Sequence, residues 1–314
     1  MLLYTSVSMS TAEGTRNVER IRLSKDVDVS PVALGFWRML DWNLSNRELV
    51  RLVETALDLG ITTLDHADVY GNYKVEAAFG DALAGRPDLR SRVEIISKAT
   101  IVYPSETVHV KYYDTSAQWL VSQVERSLRL LRTDHLDLFL LHRPSPLMDP
   151  YEVAKAFREL KTAGKVLEFG VSNFKEHDLQ LLEVAVDVPL VVNQVEASVL
   201  QHENFDDGTI QQAQRRGMHP IIWSPLAGGR IFTSGDEDAL RVRDVLETVR
   251  TEIGAATIDE VAFAWLASHP AGLIPITGAC EKEYLERAIT GVTYRLTPEQ
   301  WFWIWTARTG HKVP

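Results

Sequence analysis

Short apolar runs alternate with longer amphipathic segments along most of this chain. The runs are rich in β-favouring residues and predict strands, whereas the longer segments repeat apolar residues at the spacing of one helix face. We predict eight strands, over Val32–Phe36, Thr62–Asp65, Val93–Lys98, Leu136–Leu141, Val166–Val171, Leu190–Gln194, His219–Trp223 and Gly272–Ile276.

Amphipathic helices are predicted between these strands. In Asn46–Leu59, for example, Leu49, Val53, Ala56 and Leu57 fall on one face that can pack against a sheet. The other predicted helices are Ser116–Leu131, Glu152–Ala163, Glu176–Ala185, Thr209–Arg216, Ala239–Ile253, Ile258–Ser268 and Glu281–Ile289. This alternation predicts an α/β fold, a closed (β/α)8 TIM barrel of parallel strands surrounded by helices.

The two ends of the chain depart from this pattern. Residues 1–15 are small and polar and are predicted to be disordered, and residues 16–314 are predicted to form one barrel domain. Alternating residues in 18–23 and 27–29 predict an N-terminal β-hairpin that plugs one end of the barrel. Pro298–Arg308 predicts an extra C-terminal helix, whose three tryptophans indicate packing on the barrel or an oligomer contact.

An open doubly wound sheet is the alternative architecture. Such a sheet usually carries a glycine-rich G-x-G-x-x-G turn after its first strand. Here the first predicted strand continues into Gly35-Phe36-Trp37-Arg38, which lacks that turn. The closed barrel is therefore favoured.

Composition narrows the possible functions. The 314 residues are 45% hydrophobic and 24% charged, as in ordinary globular proteins, and their net charge of −10 disfavours nucleic acid or an anionic membrane as the main partner. The single cysteine, Cys280, cannot form an internal disulfide, and Met1–Asn17 does not resemble a signal peptide. We therefore expect a cytoplasmic protein, without a metal site, that acts on a small molecule.

Candidate chemistry lies at the ends of three successive predicted strands. Asp65 ends the second strand and Tyr70 follows it, Lys98 ends the third, and His142 follows the fourth. A buried lysine needs a partner for its charge, and Asp65 is the available carboxylate. An ammonium near a phenol would lower the pKa of Tyr70 and make it a better proton donor, and His142 could orient a substrate oxygen. Each residue alone could be structural, but together they indicate an acid catalyst.

Six motifs occur in a fixed order along the chain. They are Leu64-Asp65-His66-Ala67-Asp68-Val69-Tyr70-Gly71, Ser97-Lys98, Leu140-Leu141-His142-Arg143-Pro144, Gly170-Val171-Ser172-Asn173-Phe174, Asn193-Gln194-Val195-Glu196 and Trp223-Ser224-Pro225-Leu226-Ala227-Gly228-Gly229. In this order they resemble the aldo-keto reductase family, and within it the bacterial YdhF-like branch. The resemblance extends over residues 32–289.

The resemblance implies a barrel enzyme that binds a nicotinamide dinucleotide, usually NADPH, and reduces an aldehyde or ketone to an alcohol by hydride transfer. It implies that Tyr70 is the general acid and that Lys98 lowers its pKa. It also implies that Asp65 holds Lys98 and that His142 orients the carbonyl. We expect a monomer or a weak homo-oligomer.

The same resemblance implies a set of cofactor contacts. Ser172, Asn173 and Gln194 match residues that hydrogen-bond the nicotinamide carboxamide, and their uncharged donors and acceptors suit an amide. Trp223 replaces a tyrosine that stacks on the nicotinamide ring in many members, and a larger ring can still stack. The expected pyrophosphate loop contains Ser224, Pro225, Leu226, Gly228 and Arg230.

One departure concerns the choice between NADPH and NADH. Many members place a lysine after the proline of the eighth strand to contact the 2′-phosphate, but this chain has Ile276 there. Thr277 and Lys282 remain possible phosphate contacts, and Lys282 matches the family's arginine. NADPH is favoured, and NADH is possible.

Loop aromatics are the candidates for the substrate pocket. Trp37, Trp42 and Tyr103 fall in or near loops that should surround the mouth of the barrel, and aromatic walls suit an apolar carbonyl compound. The segment from Thr100 to Tyr113 is expected to shape the pocket, but its conformation cannot be predicted from the pattern.

Two other functions are compatible with parts of the sequence. A metal-dependent barrel hydrolase could use Asp65, His66, Asp68 and His142, although Lys98 would place a positive charge beside the metal. A nucleotide-sensing regulatory subunit with little turnover is the second alternative, because fold alone does not determine function. The intact acid residues favour an enzyme.

Overall fold

Eight parallel strands close into a ring in the computed structural model, which describes residues 18–314. The strands, numbered along the chain, are β1 Ile21–Arg22, β2 Asp28–Val29, β3 Ala33–Gly35, β4 Thr63–Asp65, β5 Glu94–Ala99, β6 Ile101–Val102, β7 Tyr112–Tyr113, β8 Leu136–Leu141, β9 Val166–Ser172, β10 Leu190–Glu196, β11 His219–Trp223 and β12 Ile274–Thr277. The order around the ring is β3, β4, β5, β8, β9, β10, β11 and β12, which pairs again with β3. The predicted (β/α)8 barrel is confirmed.

Helices cover the outside of this ring. They are α1 Asn46–Asp58, α2 Val75–Leu83, α3 Pro87–Arg90, α4 Ala117–Leu131, α5 Pro150–Thr162, α6 Glu176–Leu182, α7 Glu203–Asp206, α8 Thr209–Arg215, α9 Arg230–Thr233, α10 Glu237–Ile253, α11 Ile258–Ala267, α12 Lys282–Gly291 and α13 Pro298–Thr309. The predicted face of α1 is confirmed, since Leu49, Val53, Ala56 and Leu57 are all buried. Ser45 caps this helix and forms a capping box with Glu48, which fixes where it begins.

The predicted N-terminal hairpin and C-terminal helix are both present. Strands β1 and β2 pair in antiparallel fashion, and Val27 and Val29 pack into the barrel interior in one cluster with Ile96. The hairpin therefore closes the end of the barrel at which the parallel strands begin. Helix α13 packs on the outside, where the ring of Trp301 stacks on that of Trp265 at 4.8 Å. The predicted disorder of residues 1–15 falls outside the described residues.

Several elements were not predicted from the pattern. Helix α2 contains Gly80, a poor helix former, and it buries the charged Glu76, so its sequence lacks a simple apolar face. Strands β6 and β7 have two residues each, too few for a periodic signal, and they pair in antiparallel fashion within the segment whose conformation could not be predicted. This second hairpin lies at the opposite end of the barrel from the first.

None of the helices in residues 18–314 is both long and apolar enough to cross a membrane.

Gly80 offers a test of this packing because it lets α2 approach the backbone of α4. A Cβ atom at position 80 would lie 1.9 Å from the carbonyl oxygen of Leu130, which is backbone and cannot swing away. We expect Gly80→Ala to lower the free energy of unfolding by about 1–3 kcal/mol or more in urea titrations. Gly85→Ala is the matched control, since a Cβ there meets open space. Equal stability of the two variants would contradict this packing.

Candidate active site

Asp65, Lys98 and Tyr70 form one hydrogen-bonded group at the mouth of the barrel. Asp65 ends β4, and Lys98 lies on the neighbouring β5 with its side chain completely buried. The Lys98 ammonium donates to the Asp65 carboxylate at 2.9 Å, to the His66 carbonyl at 2.6 Å and to the Tyr70 hydroxyl at 3.0 Å. The structure therefore brings three of the four predicted catalytic residues into direct contact.

This arrangement determines where the phenol proton can go. An ammonium has three N–H donors, and all three are used. Because Lys98 donates to the Tyr70 oxygen, the tyrosine hydrogen must point elsewhere. Its nearest acceptor in the group is the Asp65 carboxylate, at a long 3.5 Å. The Tyr70 hydrogen is therefore available to a substrate oxygen.

Burial shifts the pKa values of the residues in this group. Burial and then the Asp65 carboxylate raise the pKa of Tyr70 well above its usual value, so the phenol is protonated at neutral pH. This result differs from the sequence-based expectation of a lowered pKa, because burial disfavours the phenolate and the Asp65 carboxylate adds to that effect. Burial lowers the pKa of Lys98, and Asp65 opposes that shift.

His142 follows β8 and lies beside Tyr70, with 6.0 Å between the ring centres. Burial, followed by the charges of Lys98, Arg143 and Lys111, holds the pKa of His142 well below its usual value. The imidazole is therefore neutral. Its Nδ1 atom is buried and has no hydrogen-bond partner among the described residues.

A second network contains the four residues predicted to hold the nicotinamide. The Trp223 indole N–H donates to Asn173 Oδ1 at 3.1 Å, and Asn173 Nδ2 donates to the Ser172 hydroxyl at 2.8 Å. Ser172 donates in turn to the backbone carbonyl of Gln194 at 2.9 Å. Asn173 has a left-handed backbone conformation, with φ of 62°, which directs its side chain into this network.

The Gln194 side chain connects the two networks. Its Nε2 atom lies 2.8 Å from Asp65 Oδ1, and since only the amide nitrogen can donate to a carboxylate, the orientation of the amide is fixed. Strands β4 and β10 are opposite each other in the ring, so this bond spans the barrel. The Gln194 Oε1 atom accepts no hydrogen bond from any described residue and can take an N–H from a ligand.

These donors and acceptors fit a carboxamide. Gln194 Oε1 can accept from an amide N–H, and the second N–H of Asn173 Nδ2 remains available for an amide oxygen. Trp223 is partly exposed beside them and offers a ring face for stacking.

The remaining predicted cofactor residues follow β11 and β12. Ser224, Gly228 and Gly229 have left-handed backbone angles, and a side chain at either glycine would meet open space, so a ligand can approach closely. Pro225 and Leu226 continue the same loop, and Arg230 pairs with Asp236 at 3.0 Å. Thr277 ends β12 and is buried, whereas Lys282 begins α12 and pairs with Glu286 at 3.6 Å.

The predicted pocket aromatics have different surroundings. Trp37 is 65% exposed, whereas Trp42 packs on Phe36 in the core with 5.8 Å between ring centres. Tyr103 follows β6, and its backbone N–H donates to the Tyr73 hydroxyl at 3.1 Å. Tyr73 also donates to the Ile101 carbonyl at 3.2 Å, so the β6–β7 hairpin is fixed as a wall beside the loop that carries Tyr70.

His66 and Asp68 are buried behind the group formed by Asp65, Lys98 and Tyr70. The His66 ring stacks on Phe36 at 4.5 Å and meets the edge of Phe79 at 4.5 Å, so its nitrogens face aromatic carbon. Burial, and then the Glu76 charge, raise the pKa of Asp68 well above its usual value. Over residues 18–314, no three His, Cys, Asp or Glu side chains are grouped as metal ligands would be. The geometry thus does not assemble the ligand set of the hydrolase alternative.

Glu76 supports the strand that carries Lys98, but nothing in the sequence singled it out. Its carboxylate accepts from Ser97 at 2.7 Å and from Ser127 at 3.0 Å, and it is almost fully buried. Because helix α2 was not predicted from the sequence, no spacing pattern indicated that Glu76 would be buried. The neighbouring serine of the Ser97-Lys98 motif was the available indication.

Comparison with known proteins agrees with this geometry. The sequence model of the Aldo/keto reductase family matches residues 31–304. The chain is 47% identical to the uncharacterized oxidoreductase YcsN of Bacillus subtilis and 43% identical to the oxidoreductase YdhF of Escherichia coli, covering 95% of this chain and 100% of the relative in both cases. It is 37% identical to a 6-dehydroglucose reductase of Agrobacterium fabrum, over 94% of this chain and all of that protein. The predicted family and branch are confirmed.

Solved structures show the same fold. The aldo-keto reductase AKR11C1 from Bacillus halodurans, in its holo form, superposes with a TM-score of 0.79 at 22% identity, covering 95% of this chain and 98% of that one. An aldo/keto reductase from Klebsiella pneumoniae, in complex with NADP and acetate, gives 0.75 at 23% identity, covering 95% and 96%.

The buried His66 predicts a specific loss of stability in acid. Burial lowers the pKa of His66 to about 3, from about 6.5 when exposed. The unfolded chain therefore binds one more proton between these values, and stability is lost as pH falls below about 6.5, by up to about 1.4 kcal/mol per pH unit. His66→Phe should remove this dependence, so its advantage over the parent in urea unfolding should grow from pH 7 to pH 4.5.

Phe157→Leu is the control for this measurement, because Phe157 is fully buried and stacks on Phe169 rather than on His66, so no titrating group is removed or uncovered. Its effect on the free energy of unfolding should be similar at each pH. A His66→Phe effect that is equally constant would contradict the neutral, buried imidazole.

Proposed function

This chain belongs to the aldo/keto reductase family, and from that premise we propose that it is an NADPH-dependent reductase of aldehydes or ketones. The observation that carries the proposal is the contact between Lys98 and Tyr70. The ammonium donates to the phenol oxygen, and the phenol hydrogen has no close acceptor within the group. This arrangement suits proton donation to a carbonyl oxygen.

The proposed reaction assigns a separate task to each residue. The reduced nicotinamide, when bound, supplies a hydride to the carbonyl carbon. Tyr70 gives its proton to the carbonyl oxygen, and Lys98 stabilises the resulting phenolate through the hydrogen bond already present. Asp65 keeps Lys98 in place, and the neutral His142 can donate a hydrogen bond that orients the carbonyl.

The proposed cofactor contacts rest on the polar groups described above. We assign Gln194, Asn173 and Ser172 to the carboxamide and Trp223 to the nicotinamide ring. The open glycine backbone at Gly228 and Gly229 suits a pyrophosphate. The Klebsiella pneumoniae neighbour is a complex with NADP, which favours NADP for this chain as well.

The substrate class is a small carbonyl compound. One relative is named 6-dehydroglucose reductase, and this name supports a sugar carbonyl as one candidate substrate. The exposed Trp37 and the hairpin wall at Tyr103 supply aromatic surface at the mouth of the barrel.

Tyr70→Phe tests the proposed acid. The variant should bind NADPH with unchanged quenching of protein fluorescence but should lose about 10²–10⁴-fold in carbonyl turnover, because only the donated proton is removed. The measurement is NADPH oxidation at 340 nm with a panel of aldehydes, ketones and quinones. Tyr294→Phe, in the connection between α12 and α13, is the control. Turnover of Tyr70→Phe equal to that of the parent would refute the assignment.

Lys282 tests the proposed preference for NADPH. Its ammonium is the exposed cation at the start of α12, so we assign it to the 2′-phosphate. We expect the parent to use NADPH better than NADH, and Lys282→Ala to lower kcat/KM for NADPH by about tenfold, as expected for one charged contact. NADH serves as the internal control and should be unaffected. A parent NADPH to NADH ratio near one would contradict the NADPH assignment.

A further inference from the structure

Arg143 is a half-buried cation with no partner for its charge. It directly follows His142 at the end of β8, and its side chain forms no ion pair or hydrogen bond within residues 18–314. Its backbone is fixed, because the Arg143 N–H donates to the Thr100 hydroxyl at 3.0 Å. A guanidinium has five N–H donors and accepts nothing, so this group is ready to bind oxygen acceptors.

Lys111 supplies a second free cation on the same side of the mouth. It precedes β7, and the hairpin register that pairs Val102 with Tyr112 places it opposite Tyr103. The Lys111 ammonium lies 5.6 Å from the centre of the Tyr103 ring and makes no ion pair in the described part of the chain. At the base of this hairpin, the Thr100 hydroxyl forms hydrogen bonds with the Arg143 backbone. The segments that carry the two cations are therefore connected.

Both cations lie close enough to His142 to influence its charge. They are among the charges that, after burial, hold its pKa low, and Arg143 also opposes the raised pKa of Tyr70. Glu196, at the end of β10, is a carboxylate on which Arg143 acts: burial raises the pKa of Glu196, and the Arg143 charge opposes that rise. Glu196 forms no ion pair with Arg143 among the described residues. Neither cation has therefore been neutralised by the protein.

Arg143 and the proposed pyrophosphate loop follow different strands of the ring. That loop follows β11, which is three strands away from β8 around a ring of eight. A substrate whose carbonyl contacts Tyr70 and His142 lies next to Arg143, which directly follows His142. We therefore consider Arg143 as a contact for the substrate. The net charge of the whole chain is −10, so two cations without an ion pair at this place are opposite in sign to the chain as a whole.

We propose that Arg143 and Lys111 form the site for an anionic group on the substrate, so that the preferred carbonyl compounds carry a carboxylate or a similar oxygen anion away from the reacting carbon. This inference rests on the proposed reductase function. Arg143 binds the anion through its planar fork, and Lys111 adds a point charge from the hairpin wall.

Two matched aldehydes test the proposal, 4-carboxybenzaldehyde and methyl 4-formylbenzoate, which share a ring and a reacting group and differ in charge. The parent should show a kcat/KM about tenfold or more higher for the carboxylate, as a charged hydrogen bond predicts. In Arg143→Met the ratio of the two kcat/KM values should fall to about one, with the ester still reduced. In Lys111→Met the ratio should fall only in part. Arg143→Lys should retain some of it.

Lys25→Met is the control for net charge, because Lys25 lies in the turn of the first hairpin at the far end of the barrel. It should leave the ratio unchanged. Thermal unfolding of each variant checks that it is folded. Binding of 4-(hydroxymethyl)benzoate to the enzyme with NADP, followed by protein fluorescence, gives a readout that does not need turnover, and it should weaken in Arg143→Met.

The possible outcomes separate the two proposals. A parent that prefers the ester, or a preference that survives in Arg143→Met, overturns the anion site while leaving the reductase assignment intact. If D-glyceraldehyde gains as much over propionaldehyde and Arg143→Met removes that gain, the site binds neutral hydroxyls and the anion requirement is wrong. If no carbonyl compound is reduced, the reductase proposal fails, and the binding measurement still decides whether Arg143 holds an anion.

Discussion

The buried ammonium of Lys98 is the constraint on which the site depends. An ammonium without water is tolerated only when paired and hydrogen-bonded, and here one carboxylate, one carbonyl and one phenol use all three of its hydrogens. Those partners come from β4 and the loop after it, so β4 and β5 must pair in the register that sets Asp65 beside Ile96. The fold and the proposed proton donor, Tyr70, are therefore specified by the same contacts.

The sequence predicts the barrel well because its strands are short apolar runs whose period differs from that of the helices. Predicted strand ends such as those of Leu136–Leu141 and His219–Trp223 are confirmed as they stand. The grouping of Asp65 with Lys98 also follows from the sequence, because parallel strands bring their carboxyl ends to one edge and a buried lysine needs a carboxylate.

Other features depend on information that periodicity does not carry. Helix α2 was not predicted because the reason for Gly80 is a tertiary contact: the glycine lets α2 approach the backbone of Leu130. The pKa of Tyr70 was expected to fall, but burial, and then the Asp65 carboxylate, raise it, and the degree of burial is known only from the coordinates. The free charge of Arg143 is likewise a property of its neighbours, since an arginine in a motif looks the same whether or not it is paired.

The bond from Gln194 to Asp65 has a consequence for how this protein can change over evolution. One amide belongs to the network that suits a carboxamide and also steadies the carboxylate that holds Lys98. Substitutions in these two networks share that partner, so their effects should not add, and a change tolerated in one background can be harmful in another. Divergence at the mouth of the barrel is then easiest in residues outside this shared bond, such as those of the β6–β7 hairpin, whose attachment to the barrel runs through Thr100 and Tyr73 instead.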